Sequence, residues 1–331
     1  MKKLNLFSKI LIGIAGTVIG LFLLAVLVFN IFTKAPAFSS LIHSKRAFLI
    51  PWSNKGYIAQ GITYDQASDN FYLTGYMKDG SASPIFVVNK KSRKLVTAVR
   101  MAKPDGTPFT GHAGGLTLFN NKIYIAGSGD GCFYVFEKSQ IDNASKNSTV
   151  VCSELLDLKK GNDTIKISFC TTRDGLIFAG EFYRNPQYIL PEEHMVQTDD
   201  SIQYALAVGF KPNGTTATAQ VAYSLPDQVQ GMCFADDGIY LTTSWSLGKS
   251  KVYKYAYGDI RQSGTKEICG RKVPLFNLTI LNATAEYTLP PMAEEIEYVD
   301  GRFYINNESA SDKYVFGKFT GGFWCRSYKF E

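Results

Sequence analysis

Two segments far apart in this chain are copies of one cassette. Ser224-Leu225-Pro226 leads on to Gln230-Gly231-Met232, and Thr288-Leu289-Pro290 leads on to Glu294-Glu295-Ile296. Each is followed by Asp-Gly and a Tyr-bearing run, Asp237-Gly238-Ile239-Tyr240-Leu241 and Asp300-Gly301-Arg302-Phe303-Tyr304-Ile305. Weaker copies centre on Ile62, Leu116 and Phe169, preceded by the small residues Gly61, Gly115 and Ser168. The five apolar anchors Ile62, Leu116, Phe169, Met232 and Ile296 are spaced by 54, 53, 63 and 64 residues. A unit repeated at such intervals, with turn residues between alternating strands, predicts an all-β chain folded as a β-propeller.

After each anchor comes a second strand run, such as Phe71-Tyr72-Leu73 or Ile123-Tyr124-Ile125, and then a third, such as Phe133-Tyr134-Val135-Phe136. Their period of two and their β-branched and aromatic content mark strands. The last unit stops after its third run, Trp324-Cys325-Arg326-Ser327-Tyr328, and its missing strand has a match near the start of the chain. Phe48-Leu49-Ile50-Pro51 repeats the pattern of Tyr287-Thr288-Leu289-Pro290. Residues 46–50 are therefore expected as the outer strand of the last blade, closing five blades without an open edge. Six blades would need a further blade hidden in the insertions. No stretch beyond the anchor has convincing helical periodicity.

The formal charge of +6 belongs to the N-terminus. Residues 1–46 hold six of the 35 basic residues and no acid, which leaves 29 basic against 29 acidic in the remainder. A neutral globular part lacks the basic footprint of a nucleic-acid binder. Residues 10–32 carry no charge and are long enough to cross a bilayer. Lys2, Lys3 and Lys9 precede the run, so the N-terminus is expected in the cytoplasm and the rest outside. The organisation expected is a tail at 1–9, a signal-anchor at 10–32, a linker at 33–46 and a propeller at 47–331. A cleaved signal peptide ending near Ala35-Pro36-Ala37 is the alternative, though the apolar run exceeds the usual signal length.

Six cysteines lie beyond the apolar run. They form three disulfides or pack as free thiols. Cys132 and Cys152 fall on strands expected to be antiparallel neighbours and are the first candidate pair. Seven Asn-x-Ser/Thr triplets, at Asn143, Asn147, Asn162, Asn213, Asn277, Asn282 and Asn307, would accept glycans only in a eukaryotic secretory pathway.

The loops that lead into the innermost strands, and those joining second to third strands, should share one face around the axis. They carry Gln60, His112, Gln230, Glu294 and Glu295, together with Glu181, Tyr183, Arg184, Trp245, Asn307 and Glu308. Carboxylates, amides and aromatics converging on one mouth suit a ligand site. Glu295 stands where the other copies have Gly or Ser, close to a crowded axis. It is a general base, a Ca2+ ligand or a structural hydrogen-bond acceptor. Ca2+ held by Glu295, Glu181 and neutral oxygens is the metal these residue types allow; zinc lacks Cys/His spacing of ligand type. His112 is a base or a turn residue among glycines. Residues 183–203 form the longest loop on that face, a lid or an acidic surface insertion.

Taken together, Gln60-Gly61, the run from Pro104 through Gly111-His112, Gln230-Gly231, Met292-Ala293-Glu294-Glu295-Ile296 and Glu308-Ser309-Ala310 resemble a group of uncharacterised bacterial extracytoplasmic propellers, a likeness that implies no particular activity. A local resemblance is to plant-type five-bladed glutaminyl cyclases. Val229-Gln230-Gly231-Met232 through Leu247-Gly248-Lys249-Ser250 is similar to their opening motif, and 293–301 to another blade start. This implies reactive roles for Gln230 and Glu294. Thr242-Thr243 and Ile167-Ser168 depart from that family's acidic residue and Trp-Gly. The expected function is a membrane-anchored binding or interaction module taking a small molecule, peptide or protein at its mouth. The alternative is an enzyme, cyclase-like or a metal-assisted hydrolase of lactonase type, using Glu294 or Glu295.

Overall fold

Runs with a period of two bury one face of each strand, and short Asp-Gly and Asn-Asn turns fold successive runs back as antiparallel meanders. In the computed structural model, which describes residues 5–161, 163–314 and 316–330, five four-stranded meanders follow one another. The first unit comprises Tyr57–Asp65, Asn70–Met77, Pro84–Asn89 and Leu95–Ala102. The second comprises Ala113–Phe119, Lys122–Gly127, Cys132–Glu137 and Glu154–Asp157; the third, Ile167–Arg173, Leu176–Glu181, Ala205–Asn213 and Thr216–Leu225. The fourth comprises Val229–Phe234, Gly238–Thr243, Ser250–Ala256 and Ala285–Leu289. The fifth has Ala293–Val299, Arg302–Asn307 and Trp324–Tyr328, and takes Lys45–Leu49 from the other end of the chain as its outer strand. The expected pairing of the chain's two ends is present: Lys45 lies opposite Ser327 and Leu49 opposite Trp324.

The five first strands touch in cyclic order, the fifth meeting the first, so an all-β ring is nearly closed around an axis. Buried apolar side chains form five clusters, each lying between two neighbouring units. The cluster around Phe48, Phe71, Tyr304 and Cys325 joins the last unit to the first, with the Phe71 and Tyr304 ring centroids 4.6 Å apart. Insertions account for the two wide spacings. Residues 182–204 extend the third unit, and a hairpin of Gln262–Ile268 and Arg271–Asn277 extends the fourth, pairing in parallel with the third unit's outer strand.

Every first strand has a break in register at the cassette's small residue: between Ala59 and Ile62, Ala113 and Leu116, Ile167 and Phe169, Val229 and Gly231, and Ala293 and Ile296. These bulges turn backbone toward the axis. They also correct one anchor. Counted back from each hairpin, Cys170 opposite Ala179 is the equivalent of Leu116 opposite Ile125, so Cys170 and not Phe169 is the third anchor. Phe169, opposite Gly180, holds the place that Gly231, opposite Thr242, holds in the fourth unit, so the residue before this anchor is not small. The Phe169 ring instead covers Gly180, where an added Cβ would lie 2.0 Å from the ring.

Cys132 lies on a strand whose antiparallel neighbour is Glu154–Asp157, with Asp157 opposite it, whereas Cys152 lies in the break before that neighbour and on no strand. Both are buried free thiols, as are the other four cysteines. The disulfide expected between them is absent. Of the seven glycan triplets, Asn162 lies outside the described residues.

One helix, Leu6–Lys34, has the length and composition of a membrane anchor or a signal sequence. Asn5 caps its start, accepting from the Ser8 N–H at 2.8 Å. Residues 35–44 are not a free tether: Ala37 and Ser40 are buried, and Arg302 and Arg326 bind the His43 carbonyl and the Ser44 hydroxyl.

Gly115 shows how close the inner strands approach. A Cβ there would lie 2.5 Å from Glu295 Oε1 and 2.7 Å from the Phe169 Cα. Gly115→Ala is expected to lower the unfolding free energy by about 2–3 kcal/mol through overpacking, read by urea denaturation. Gly258→Ala, with open space around it, should stay within about 0.5 kcal/mol of the parent.

Candidate functional site

The bulges present unpaired N–H groups to a dry axis, where each needs an acceptor. Glu295 supplies it. Its Oε2 accepts from Ile62 N at 2.7 Å and Leu116 N at 3.2 Å, and its Oε1 from Cys170 N at 3.0 Å. The fifth unit thus binds the first three at one carboxylate, 1% exposed. Burial pushes its pKa well up, and the three N–H bonds oppose that shift. All three contacts are donors, so the arrangement suits an ionised acceptor. Of the three uses open to Glu295, the geometry supports the structural one.

Glu181 has the same character elsewhere. It is fully buried and accepts from Lys166 N at 3.1 Å, Leu206 N at 3.2 Å and His194 Nδ1 at 2.9 Å. Burial lowers the His194 pKa, but the Glu181 hydrogen bond and the charges of Glu181 and Asp163 outweigh it, so the net shift is upward. His194 lies in a short 3-10 turn of the long insertion and pins that loop to the ring. Each of the two carboxylates expected to hold Ca2+ thus already accepts from three protein donors. Among the described residues no group of three or more His, Cys, Asp and Glu side chains could hold a metal.

A cavity of about 890 Å³ opens at the axis, on the face where the first strands begin. Its lining includes Gln60, His112, Gln230, Trp245, Glu294 and Glu308 from the expected set. Glu294 is 2% exposed, and among the described residues no hydrogen bond reaches its carboxylate. Burial first, then the charges of Glu308 and Glu295, raises its pKa well above the carboxylate range. Glu308 is better supplied, with Gln60 Nε2 at 3.1 Å and the Tyr314 hydroxyl at 2.9 Å donating to it. Its pKa is raised too, chiefly by burial. Behind this pair, His112 Nε2 meets Gln60 Oε1 at 2.5 Å and its ring packs on Tyr76 at 4.6 Å. His112 keeps an exposed edge, yet the protein around it and the Lys313 ammonium push its pKa downward.

The opposite wall is aromatic. Phe182, Tyr188 and Trp245 form a mutual cluster with centroids 5.2 to 6.1 Å apart. The Arg184 guanidinium lies 4.1 Å over the Trp245 ring, behind the cavity lining. Two expected residues are turned away. Tyr183 is buried and stacked on Tyr204 at 4.4 Å. Asn307 closes a turn, donating to the Pro291 carbonyl and accepting from Ser309 N at 2.9 Å. Sequence reasoning missed Lys313, Tyr314 and Phe316, which line the cavity. They follow Glu308 in the same strand-joining loop, so taking the whole loop rather than its acidic residues would have found them.

No family model matches this chain, and no curated protein matches it. Among solved structures it is similar to the tail fiber of Staphylococcus aureus phage P68, at 12% identity and TM-score 0.44, covering 79% of this chain and 48% of that one. This chain thus spans about half the length of that fiber. The PQQ-bound aldose sugar dehydrogenase from Streptomyces coelicolor aligns at 9% identity and TM-score 0.42, covering 80% and 76%. A nidogen/laminin complex aligns at 10% identity and TM-score 0.38, covering 76% and 73%. At such scores none of them bears on the ligand or activity of this chain.

Two adjacent acids should respond differently to neutralisation. Glu295→Gln sets an amide NH2 against backbone donors and is expected to cost about 3 kcal/mol of stability, read by urea unfolding. Glu294→Gln should do the reverse. A carboxyl whose pKa is raised by folding supports stability fully below its unfolded pKa and loses that support as pH rises through the folded value. Glu294→Gln is therefore expected to leave Tm unchanged in acid and to raise stability by about 1 kcal/mol above that window. A calorimetric Tm–pH profile identical to the parent's would show that Glu294 does not titrate there.

Proposed function

We propose that the chain is a membrane-anchored, extracytoplasmic five-bladed β-propeller that binds a small ligand at its axial mouth. The five meanders in cyclic contact, with the N-terminal strand in the last, support the blade count. Length and composition of Leu6–Lys34, with lysines on its N-terminal side, support an uncleaved anchor and the orientation. The observation that carries the binding reading is Glu294: a buried carboxyl without a donor, beside a second carboxyl, at the base of a cavity with an aromatic wall.

That combination suits a ligand with a cationic amine or a cluster of hydrogen-bond donors at one end and an apolar or ring face at the other. The donors would complete Glu294 and Glu308, and the face would lie on Tyr188 and Trp245. Ionisation of Glu294, whose pKa is raised, would strengthen an amine's attraction, so affinity should rise with pH until the amine itself deprotonates.

A second reading is an enzyme of cyclase or hydrolase type with Glu294 as proton-transfer group. Its raised pKa and the presence of Gln230 on the same wall favour it. Glu295, held by three backbone donors and absent from the cavity lining, serves the ring in this reading.

The full chain in detergent would be screened by thermal shift against amino sugars, aryl-alkyl amines, neutral sugars and peptides with N-terminal Gln. Amine-bearing compounds are expected to raise Tm by several degrees, with the rise lost in Glu294→Gln and weakened in Trp245→Ala. A shift retained in Glu294→Gln, or none with any compound, would overturn the binding reading. Conversion of the Gln peptides, followed by mass spectrometry, would instead favour the enzyme.

A further inference from the structure

The rim of the axial cavity carries large exposed apolar side chains among its polar ones. Phe316, Tyr188 and Ile189 line the cavity and are 64%, 51% and 50% exposed. A second cavity of about 450 Å³ shares Ser244 with the first, so it lies on the same face. Its rim adds Ile202, Ile280 and Leu281, the last 77% exposed. Scattered apolar residues on a surface need no explanation, but a group gathered on one face around a cavity does.

The N-terminal helix says what covers that face. Phe29 packs on Phe316 at 6.4 Å and Phe22 packs on Phe319 at 6.1 Å. These helix residues are two turns apart on one side, so the rim segment Phe316–Thr320 follows about 10 Å of the apolar helix. The helix cannot swing away on a tether, because residues 35–42, with Ala37 and Ser40 buried, lie against the fourth unit's Ala285–Leu289, and Arg302 and Arg326 of the fifth unit bind residues 43 and 44. A rim held against the side of a bilayer-crossing helix is held at the bilayer.

We propose that the cavity-bearing face of the ring lies on the lipid surface, with Phe316, Tyr188, Ile189, Ile280 and Leu281 entering its interfacial layer. This rests on the helix acting as an uncleaved anchor. The cavity then opens onto the membrane rather than bulk water, and it draws amphipathic ligands from the lipid side. Apolar and aromatic side chains at one level suit the headgroup boundary, and attachment strengthens with the apolar area buried there.

The test uses the full chain in phosphatidylcholine vesicles. Nitroxide labels at Ile189→Cys and Leu281→Cys would be compared with one at Val96→Cys, an exposed position near the opposite end of the ring. The native cysteines are buried, and an unsubstituted control measures any background labelling. Labels at 189 and 281 are expected to lose accessibility to a water-soluble nickel relaxant and to gain it to oxygen, with the reverse at 96. Hydroxyl-radical footprinting of the unsubstituted chain should show matching protection of Tyr188, Ile189 and Leu281, which covers the case of a variant that fails to fold. Equal water accessibility at all three sites, in a chain that resists alkaline carbonate extraction, would overturn the membrane-facing mouth while leaving the anchor standing. Release by carbonate would overturn the anchor, and the proposal with it.

Discussion

The ring depends on the placement of one buried carboxylate. Where each inner strand bulges, its backbone leaves the ladder and points donors at an axis from which water is excluded. An unsatisfied N–H there would cost as much as a lost hydrogen bond. Glu295 answers three of these at once, from strands of three other units. Its own desolvation is offset only because its partners are all donors at short range. Gly61, Gly115 and Gly231 belong to the same device. A Cβ added at each would meet Leu116, Glu295 Oε1 and Glu295 Cα respectively within 2.7 Å, so the glycines make the room that the carboxylate fills.

Glu294 is the next residue along and has the opposite situation. Both acids are buried, both come from the same bulge, and both have their pKa pushed up by burial. Glu295 faces backbone donors, whereas Glu294 faces Glu308 and the cavity. One acid stabilises the ring and the other is held at a cost, as binding sites commonly are. Glu181 repeats the structural case in the third unit, where its bond to His194 fastens the long insertion that supplies Tyr188 and Ile189 to the cavity. The site is thus an unsatisfied group surrounded by well-satisfied ones.

Much of the strand order was legible because strand period, turn residues and the cassette all repeat. Even the exchange of the first strand into the last unit could be read, since Phe48-Leu49-Ile50-Pro51 keeps the cassette's pattern. What failed was register. Phe169 looks like the third anchor because an aromatic follows a small residue, but it pairs with Gly180 as Gly231 pairs with Thr242, one place before the anchor, which is Cys170. Cys132 and Cys152 failed because Cys152 falls in the break between Thr149–Val151 and Glu154–Asp157 and not on the strand that faces Cys132. The polar mouth was half legible: residues near the cassettes were found, while Tyr183 was wrongly included, its loop turning it inward, and Lys313 was missed on a loop judged by its acids.

The sequence by itself determined the repeating strand pattern, the apolar N-terminal helix and the oddity of Glu295 against Gly61, Gly115 and Gly231 of three other copies. These are local properties, set by side-chain period and composition, and they survive without knowledge of partners. Only the tertiary structure decided which of two adjacent glutamates is a strut and which a ligand candidate. That choice depends on which backbone donors from distant units arrive at each carboxylate. It also decided that the apolar rim and the helix lie together, because Phe29 and Phe316 meet only once the ring has closed.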